Sequence, residues 1–562
     1  MDTLTRVFLF LLSTVAVLFV LLFGAFAYVP EDGKFDPGPD VDAFSWSKLE
    51  PSDDLRWVDC YGTRQCARLK VPLNYSDPQG DSAVIALARI PSKLPPDSPS
   101  YRGPVLFNPG GPGGSGVDFV LRPGYGELFQ IVVGPEFDLI GFDPRGIARS
   151  TPRANFFASR VEREIFAKPE ILLSLNASAN AIARQWADAT LIGQLAAEND
   201  DGTLRFINTE NTARDMLEIV RKHGREKIQY WGFSYGTILG ATFAAMFPDN
   251  IERFIIDGVM DAESYYSTQW SDNLQDTDKV LRSFATGCFS AGPSTCPFYA
   301  ASPAAILTNM DALAESLRSR PIPVRTSKSY GLVDYSLFRT TIFNILYSPY
   351  ARFPMLAQAL ADLAQGNATG LWEMSPTGLK PAFECSCDDR ELGFESVPES
   401  VWAVLCNDGD RISPEYEEFE AHYRMLSNLS SFADQWERPR MGCLTWPDLP
   451  KPKFRGPFIG NTSFPLLLIG NTADPVTPLA SAQKMSKGFK DSVVLTQDSP
   501  GHCSLSAPSS CTIRHIRSYF ANGTLPEPGT VCPMDVPICQ PPPGAPRDEQ
   551  VVFDSRFSQY VL

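Results

Sequence analysis

Basic charge, histidine and metal-binding cysteine patterns are all scarce in this sequence of 562 residues. Lysine and arginine number 49 against 65 aspartates and glutamates, which gives a formal net charge of −16. Nucleic acids are bound through positive surfaces, so this composition excludes a binder of that kind. The four histidines are scattered, and no two cysteines have the CxxC spacing typical of zinc sites. The hydrophobic share of 44% and the charged share of 20% indicate an ordinary globular protein.

One long apolar run, Val7 to Tyr28, lies near the start of the chain and carries no charge. As a helix it is long enough to cross a bilayer. Arg6 precedes it and acidic residues follow, which predicts that the remaining chain lies on the far side of the membrane. Residues 1–29 are therefore either a cleaved signal peptide, with Ala25-Phe26-Ala27 as its small-residue site, or a retained signal anchor. We predict a secreted protein, with single-pass membrane attachment through the apolar run as the alternative.

The cysteine count and the sequons agree with export to an oxidising compartment. Close spacing predicts four local disulfides: Cys60–Cys66, Cys288–Cys296, Cys503–Cys511 and Cys532–Cys539. The sequence leaves open how the other four cysteines pair: Cys385, Cys387, Cys406 and Cys443. Six N-glycosylation sequons predict a glycosylated surface, and they begin at Asn74, Asn176, Asn367, Asn428, Asn461 and Asn522.

Strand-like and helix-like runs alternate in two separate parts of the chain. Residues 30–55 are acidic and rich in proline and glycine, which indicates a linker. The alternation over 56–261 and its return over 456–540 predict one α/β core, a mostly parallel sheet with helices on both faces. Residues 262–455 are mainly helical and indicate a cap inserted into that core. Residues 541–562 are predicted to form an irregular tail.

The sharpest motif is Gly232-Phe233-Ser234-Tyr235-Gly236. It follows a strand-like run and begins a helix of small residues, as a nucleophile elbow requires. The two glycines leave room for a cramped turn that lifts Ser234 above the sheet. We therefore predict that Ser234 is a catalytic nucleophile.

A serine hydroxyl needs a base that accepts its proton. His223, His422 and His515 lie in charged, helical surroundings and are predicted to be surface residues. His502 differs because it follows the last core strand in a loop that can reach over the sheet edge. We predict that His502 is the base.

The histidine in turn needs a carboxylate that holds its tautomer. Asp474 follows the penultimate core strand, and the order Ser234, Asp474, His502 is that of an α/β hydrolase. Asp257, at the end of an earlier strand, is the alternative acid, and we prefer Asp474 because of its loop position.

A glycine-rich run from Asn108 to Gly116 follows another strand and brings backbone amides close to a substrate. We predict that the N–H groups of Gly111 and Tyr235 form an oxyanion hole, with Gly110 as the fallback for Gly111. No GK[ST] follows the run, which disfavours a phosphate-binding loop.

Together these motifs resemble the tripeptidyl-aminopeptidase-like branch of the proline iminopeptidase family, which are serine peptidases with the α/β-hydrolase fold. The matching segments are Asn108 to Gly116, Phe142 to Gly146, Gly232 to Gly236, Asp257 to Val259, Asn471 to Pro478, Gly501 to Cys503 and Asn522 to Pro526. Export, sequons and cysteines are most similar to those of a fungal member.

The resemblance implies a peptidase that releases short peptides or residues from free N-termini. An esterase or lactone hydrolase acting on a small secondary metabolite is the alternative, and a non-catalytic surface protein on a hydrolase scaffold is the third hypothesis. We expect a small peptide or small molecule as the substrate, no cofactor, and no nucleic-acid partner.

Overall fold

One mixed β-sheet forms the centre of the computed structural model, which describes residues 44–167, 173–379 and 397–539. The strands are, in chain order, β1 (Val58–Cys60), β2 (Arg64–Pro72), β3 (Ser82–Ile90), β4 (Gly103–Asn108), β5 (Phe137–Phe142), β6 (Ile228–Phe233), β7 (Ile251–Asp257), β8 (Ile322–Arg325), β9 (Tyr330–Val333), β10 (Leu467–Ala473), β11 (Val493–Pro500) and β12 (Val531–Cys532). Strands β8 and β9 form a separate hairpin. The other strands lie in the order β1-β2-β3-β5-β4-β6-β7-β10-β11-β12.

The two edges of the large sheet differ in strand direction. Strands β1, β2, β3 and β5 are joined by antiparallel pairing, whereas every pair from β5 to β12 across the sheet is parallel. Strands β4, β5 and β6 are buried along their whole length. Continuous apolar runs such as Phe137–Phe142 form such strands because both faces of a parallel sheet are covered. The predicted mostly parallel α/β sheet is confirmed.

Helices cover the sheet and build a separate layer. They are, in chain order, α1 (Gly116–Leu121), α2 (Tyr125–Val133), α3 (Arg160–Ala167), α4 (Ala181–Glu198), α5 (Thr209–Lys222), α6 (Tyr235–Met246), α7 (Ala262–Tyr266), α8 (Thr277–Ala291), α9 (Pro303–Ser319), α10 (Tyr335–Ile345), α11 (Pro349–Ala364), α12 (Thr369–Met374), α13 (Pro376–Leu379), α14 (Pro398–Asp408), α15 (Tyr416–Ser427), α16 (Ala433–Met441), α17 (Leu479–Ser486) and α18 (Ser510–Asn522).

Both faces of the sheet carry a hydrophobic core. On one face, side chains of β3 such as Ile85 pack with apolar residues of α5 and α6, including Ile238. On the other face, alternate β3 residues such as Ala86 pack with α1, α2 and α18, including Phe129 and Tyr519. The period-two alternation of β3 therefore serves both cores, and helices lie on both faces as predicted.

The helices between β7 and β10 form a layer over the carboxyl ends of the parallel strands. The earlier helix α4 also belongs to this layer, because it packs on α15 and α16. Trp186 of α4 donates to the Pro414 carbonyl at 2.9 Å, and Thr445 donates to the Thr190 carbonyl at 2.7 Å. We call α4 together with α7–α16 the helical layer.

Four disulfides lie in the described residues: Cys60–Cys66, Cys288–Cys296, Cys406–Cys443 and Cys511–Cys532. The first two are pairs that spacing predicted, and the third joins two cysteines whose pairing the sequence left open. Cys385 and Cys387 lie outside the described residues. Several disulfides together indicate folding in an oxidising compartment.

The predicted pairs Cys503–Cys511 and Cys532–Cys539 are wrong. Strand β12 lies beside β11 and brings Cys532 back to the first turn of α18, where its Cα is 5.4 Å from that of Cys511. Cys503 and Cys539 are buried free thiols. The Cys503 sulfur lies against Gly258, and the Cys539 sulfur lies against Gly287 of α8. The prediction from sequence spacing failed because β12 returns across the sheet to pair with β11.

A buried ion pair fixes the segment after β5. Arg145 contacts both carboxylate oxygens of Asp215 at 2.6 and 2.7 Å, and it also donates to the carbonyls of Pro72 and Leu73. Tyr75 donates to the same carboxylate at 2.7 Å. Each of the three guanidinium nitrogens therefore has an acceptor. A buried charge is tolerated when it is paired and hydrogen-bonded in this way.

The sequon asparagines all reach solvent. Asn74 is half-buried, and the other five are exposed. Glycosylation at these positions stays a prediction. Of the helices that the structure describes, none combines the length and the apolar character that a bilayer crossing requires. The predicted signal segment of residues 1–29 and the predicted tail of residues 541–562 lie outside the described residues.

Candidate active site

Ser234 occupies a strained turn between β6 and α6. Its backbone has φ 55° and ψ −122°, a conformation that side-chain-bearing residues rarely adopt. The serine follows directly on the last residue of β6 and precedes the first residue of α6. This geometry is the strand-turn-helix that the GxSxG motif predicts. It places the buried serine side chain at the carboxyl end of a central strand.

Two glycines make this turn possible for reasons of space. A Cβ atom on Gly232 would collide with the Tyr230 hydroxyl and would lie 2.5 Å from the Gly236 carbonyl oxygen. A Cβ atom on Gly236 would lie 2.8 Å from the Asn108 carbonyl oxygen at the end of β4. The backbones of β6, the Ser234 turn and the end of β4 are therefore in direct contact.

Asp474, after β10, and His502, after β11, form a buried pair. The Nδ1 atom of His502 lies 3.0 Å from each carboxylate oxygen of Asp474 and 3.1 Å from the hydroxyl of Thr477. The Asp474 carboxylate also accepts the backbone N–H groups of Val476, Thr477 and Cys503. The contacts on Nδ1 leave Nε2 facing away from the acid. That atom is buried and has no hydrogen-bond partner among the described residues.

The nucleophile turn and the histidine loop meet at Asp257. The carbonyl oxygen of Asp257 accepts the Ser234 N–H at 3.0 Å and the Cys503 thiol at 3.4 Å. Because Cys503 directly follows His502, this shared acceptor brings the serine and histidine segments together. The Asp257 carboxylate itself binds Ser504 rather than His502. The geometry thus favours Asp474 over Asp257 as the partner of the imidazole.

The other three histidines are less exposed than their sequence context predicts. His223 ends α5, and its burial lowers its pKa to about 4. His422 is largely buried, with its Nδ1 atom 2.8 Å from the Glu437 carboxylate. The prediction that these two are surface residues is wrong, because the Trp57 ring packs against His223 and the helical layer covers His422. Burial and the neighbouring Arg514 lower the pKa of the half-exposed His515.

The glycine-rich loop lies beside the serine and offers backbone amides. The Gly110 N–H donates to the Asn108 side chain at 3.0 Å, so it is already engaged. Among the described residues, no backbone acceptor is found for the Gly111 N–H. Tyr235 is the first residue of α6, where backbone N–H groups have no partner within the helix. Both amides that the sequence predicted as donors are therefore free of a backbone acceptor among the described residues, and their role in an oxyanion hole stays a prediction.

A hydroxyl-carboxylate contact anchors the far end of this loop. Ser115 caps α1 and donates to the buried carboxylate of Asp143 after β5. A Cβ atom on Gly110 would collide with the Phe233 carbonyl oxygen and would lie 2.9 Å from Cβ of Ser234. The loop therefore sits directly against the nucleophile.

Comparison with known proteins identifies the family. Residues 103–373 match the family described as alpha/beta hydrolase fold, and residues 428–532 match the family described as TAP-like protein. The chain is an α/β hydrolase with a TAP-like region. A serine at a nucleophile turn and a histidine–aspartate pair make this TAP-like hydrolase a serine hydrolase.

Curated relatives of this TAP-like hydrolase include proteases and an esterase. The serine protease Hip1 of Mycobacterium tuberculosis is 26% identical over 485 residues, 84% of this chain and 88% of that protein. Carboxylesterase B of the same organism is 26% identical over 481 residues, 84% of this chain and 86% of its own. Tripeptidyl aminopeptidase of Streptomyces lividans is 32% identical over 219 residues, 37% of this chain and 38% of that protein.

The helical layer of the TAP-like hydrolase touches the loops of the site, for example at Tyr347 and Val401. The ring of Tyr347, between α10 and α11, lies 5.0 Å from the His502 ring in an edge-to-face contact. The backbone carbonyl of Tyr347 also accepts the backbone N–H of His502 at 2.9 Å. Val401 of α14 lies 2.8 Å from where a Cβ atom on Gly113 would stand. Sequence reasoning missed Tyr347 and Val401, and no motif marks either residue.

Within the described ranges of the chain, two clusters each hold three possible metal ligands within 4.8 Å of one another. In the cluster of Cys511, His515 and Cys532, the two sulfurs are joined to each other. In the second cluster, His502 and Asp474 use their facing atoms for each other, and burial raises the pKa of the Cys503 thiol.

Proposed function

We propose that this TAP-like serine hydrolase releases short peptides or single residues from free N-termini through an acyl-enzyme on Ser234. The observation that carries the proposal is the His502 ring. Its Nδ1 atom is held by Asp474, and its buried Nε2 atom has no partner among the described residues. A base held in this way is ready to accept a serine proton.

In the first step, His502 takes the hydroxyl proton of Ser234 at Nε2 as the oxygen attacks the substrate carbonyl. Asp474 stabilises the imidazolium ion that forms. The N–H groups of Gly111 and Tyr235 donate to the oxyanion of the tetrahedral intermediate. Catalytic hydrogen bonds often shorten only when substrate is bound, so the Ser234–His502 contact is expected to form in the complex.

In the second step, His502 returns its proton to the leaving amine, and the acyl group stays on Ser234. Water then enters, loses a proton to His502 and attacks the ester carbonyl. The acid is released and the Ser234 hydroxyl is restored.

Two features support action on chain ends rather than on internal bonds. The helical layer covers the strand ends and contacts the site through Tyr347 and Val401, which restricts the size of what can enter. Two relatives, the serine protease Hip1 and the tripeptidyl aminopeptidase, support peptides as the substrates of this chain. In this proposal residues 262–455 act as the cap, and the chain acts outside the cytoplasm.

Ester hydrolysis is the second candidate. A relative named carboxylesterase B covers this chain as fully as the protease relative does. The same triad serves both bond types, so the substrate pocket under the helical layer decides between them.

A substrate panel on the purified full-length protein tests the proposal. We expect a tripeptide p-nitroanilide with a free amino group to be cleaved at least about tenfold more efficiently than its N-acetylated form. Equal rates on the two would contradict cleavage from free N-termini. Faster turnover of p-nitrophenyl esters than of any peptide would favour the second candidate.

Ser234→Ala is the companion variant. It should lower kcat by a factor of about a thousand or more, because no acyl-enzyme can form. Ser316→Ala is the matched control, since Ser316 is exposed on α9 and donates only to the Leu313 carbonyl. Full activity of Ser234→Ala would exclude this mechanism.

A further inference from the structure

Asp257 is buried between the two segments that carry the proposed nucleophile and base. It ends β7, and no part of it is exposed. Its carbonyl oxygen accepts the Ser234 N–H and the Cys503 thiol. The main chain of one residue thus holds the strained serine turn from below.

The side chain of the same residue holds the other segment. One carboxylate oxygen accepts the Ser504 N–H at 2.8 Å, and the other accepts the Ser504 hydroxyl. The Trp231 ring N–H of β6 donates to the carboxylate at 3.3 Å. Ser504 lies two residues after His502, so these bonds fix the end of the histidine loop.

We propose that Asp257 is a positioning residue for the acid–base step, which locks the His502 loop against the Ser234 turn and adds a second negative charge that stabilises the His502 imidazolium. The inference rests on the proposed triad. Asp474 binds the imidazole directly, whereas Asp257 acts through the backbone of Ser234 and Ser504.

The charge of Asp257 changes at mildly acidic pH. Burial raises its pKa to about 6, and the hydrogen bonds from Ser504 and Trp231 limit that rise. The titratable groups that face it are the imidazole of His502 and the thiol of Cys503 on the histidine loop. Asp474, after β10, acts on the same thiol. β6 contributes the Trp231 ring, which carries no charge.

The protonation of Asp257 should therefore appear in the pH profile of the wild type. As pH falls through about 6, Asp257 binds a proton and loses its charge, so kcat should fall about tenfold around that pH.

Asp257→Asn tests the role, because it keeps the shape and removes the charge. With p-nitrophenyl butyrate as the probe, we expect kcat of Asp257→Asn at pH 8 to be about tenfold below that of the wild type, with KM within about twofold, and the step near pH 6 to be absent. The control is Asp138→Asn. Asp138 is also buried, at the start of β5, where it accepts from Ser92 and Tyr101. It should keep the step.

Ser504→Ala provides a second measurement that does not depend on folding of the first variant. It removes a donor that stabilises the charged form of Asp257, so the pKa of Asp257 rises and the step in kcat moves to higher pH. A step near pH 6 that persists in Asp257→Asn, or that keeps its midpoint in Ser504→Ala, overturns the positioning role.

Ser234→Ala separates this inference from the proposed triad. Turnover of the same ester by Ser234→Ala would defeat the triad itself. Loss of turnover in Ser234→Ala, combined with unchanged profiles in the other two variants, defeats only the role of Asp257.

Discussion

The sheet and the helical layer contribute to the site in different ways. Ser234 and Asp474 each follow directly on the last residue of a parallel strand, and His502 lies two residues beyond one. The helical layer also contacts the loops of this site: the Tyr347 ring meets the His502 ring, Thr277 of α8 donates to the Pro475 carbonyl, and Val401 lies near Gly113. Carboxyl ends of parallel strands meet at one edge, so sheet topology gathers the candidate catalytic groups. In the proposed function, the helical layer decides what reaches them.

Gly110→Ala should produce the largest effect and shows how closely the sheet side is packed. The added methyl group would collide with the Phe233 carbonyl oxygen, at a backbone φ of +94°. It displaces the Gly111 amide and the serine together, so we expect kcat to fall about a thousandfold in steady-state assays.

Gly202→Ala is the matched control for that variant. Gly202 also has a positive φ, +89°, but nothing lies within 4 Å of where its methyl group would stand. It should cost only a small amount of stability and leave kcat unchanged. Similar kcat losses in both variants would assign the effect to backbone strain rather than to contact with the nucleophile.

Disulfide removal compares the stability of the two regions. Cys406–Cys443 spans 37 residues in the helical layer, whereas Cys60–Cys66 spans 6 residues at the edge of the sheet. Chain entropy predicts that replacing the first pair by serine lowers the free energy of unfolding by about 4 kcal/mol, and the second by about 2 kcal/mol. Urea unfolding measures both, and a larger loss for the short loop would contradict the entropic argument.

Asp408 tests how the helical layer responds to pH. It ends α14, and it accepts hydrogen bonds from Thr209 and Tyr265. Burial raises its pKa to about 6. In the unfolded chain the pKa of an aspartate is about 4, so the folded state binds a proton on Asp408 more tightly than the unfolded state does. The stability that this proton contributes is present at low pH and is lost as pH rises through 6.

Asp408→Asn should therefore make the melting temperature less dependent on pH between about 4 and 7 than in the wild type. Thermal melts of the two proteins in the same buffers provide the measurement. Parallel curves would mean that the carboxyl group does not titrate in this range.

The smallest effect is expected for Tyr347→Phe. The hydroxyl group of Tyr347 is buried and has no hydrogen-bond partner among the described residues, so its removal should leave kcat within about twofold. Tyr347→Ala also removes the ring that contacts His502, and should lower kcat about tenfold. A large loss with phenylalanine would show that the hydroxyl group, rather than the ring, serves the site.

Short motifs at strand ends made the fold class and the candidate triad predictable. The GxSxG turn, the glycine-rich loop and the loops of Asp474 and His502 each depend on local chain geometry next to a strand. The Cys511–Cys532 disulfide and the Tyr347–His502 contact were not predictable, because each joins segments that only the finished fold brings together. Burial of His422 was missed for the same reason, since its partner Glu437 lies on another helix.

The Arg145–Asp215 pair has a consequence for synthesis of the chain. The Arg145 guanidinium group donates to the carbonyls of Pro72 and Leu73 and to the carboxylate of Asp215, which lies 70 positions further along the chain. A nascent chain that has not yet reached Asp215 holds a cation with no counter-charge at the place where it must be enclosed. We therefore expect the first half of the sheet to close around Arg145 only after α5 has left the ribosome, and a chain truncated upstream of that helix to be more sensitive to proteases.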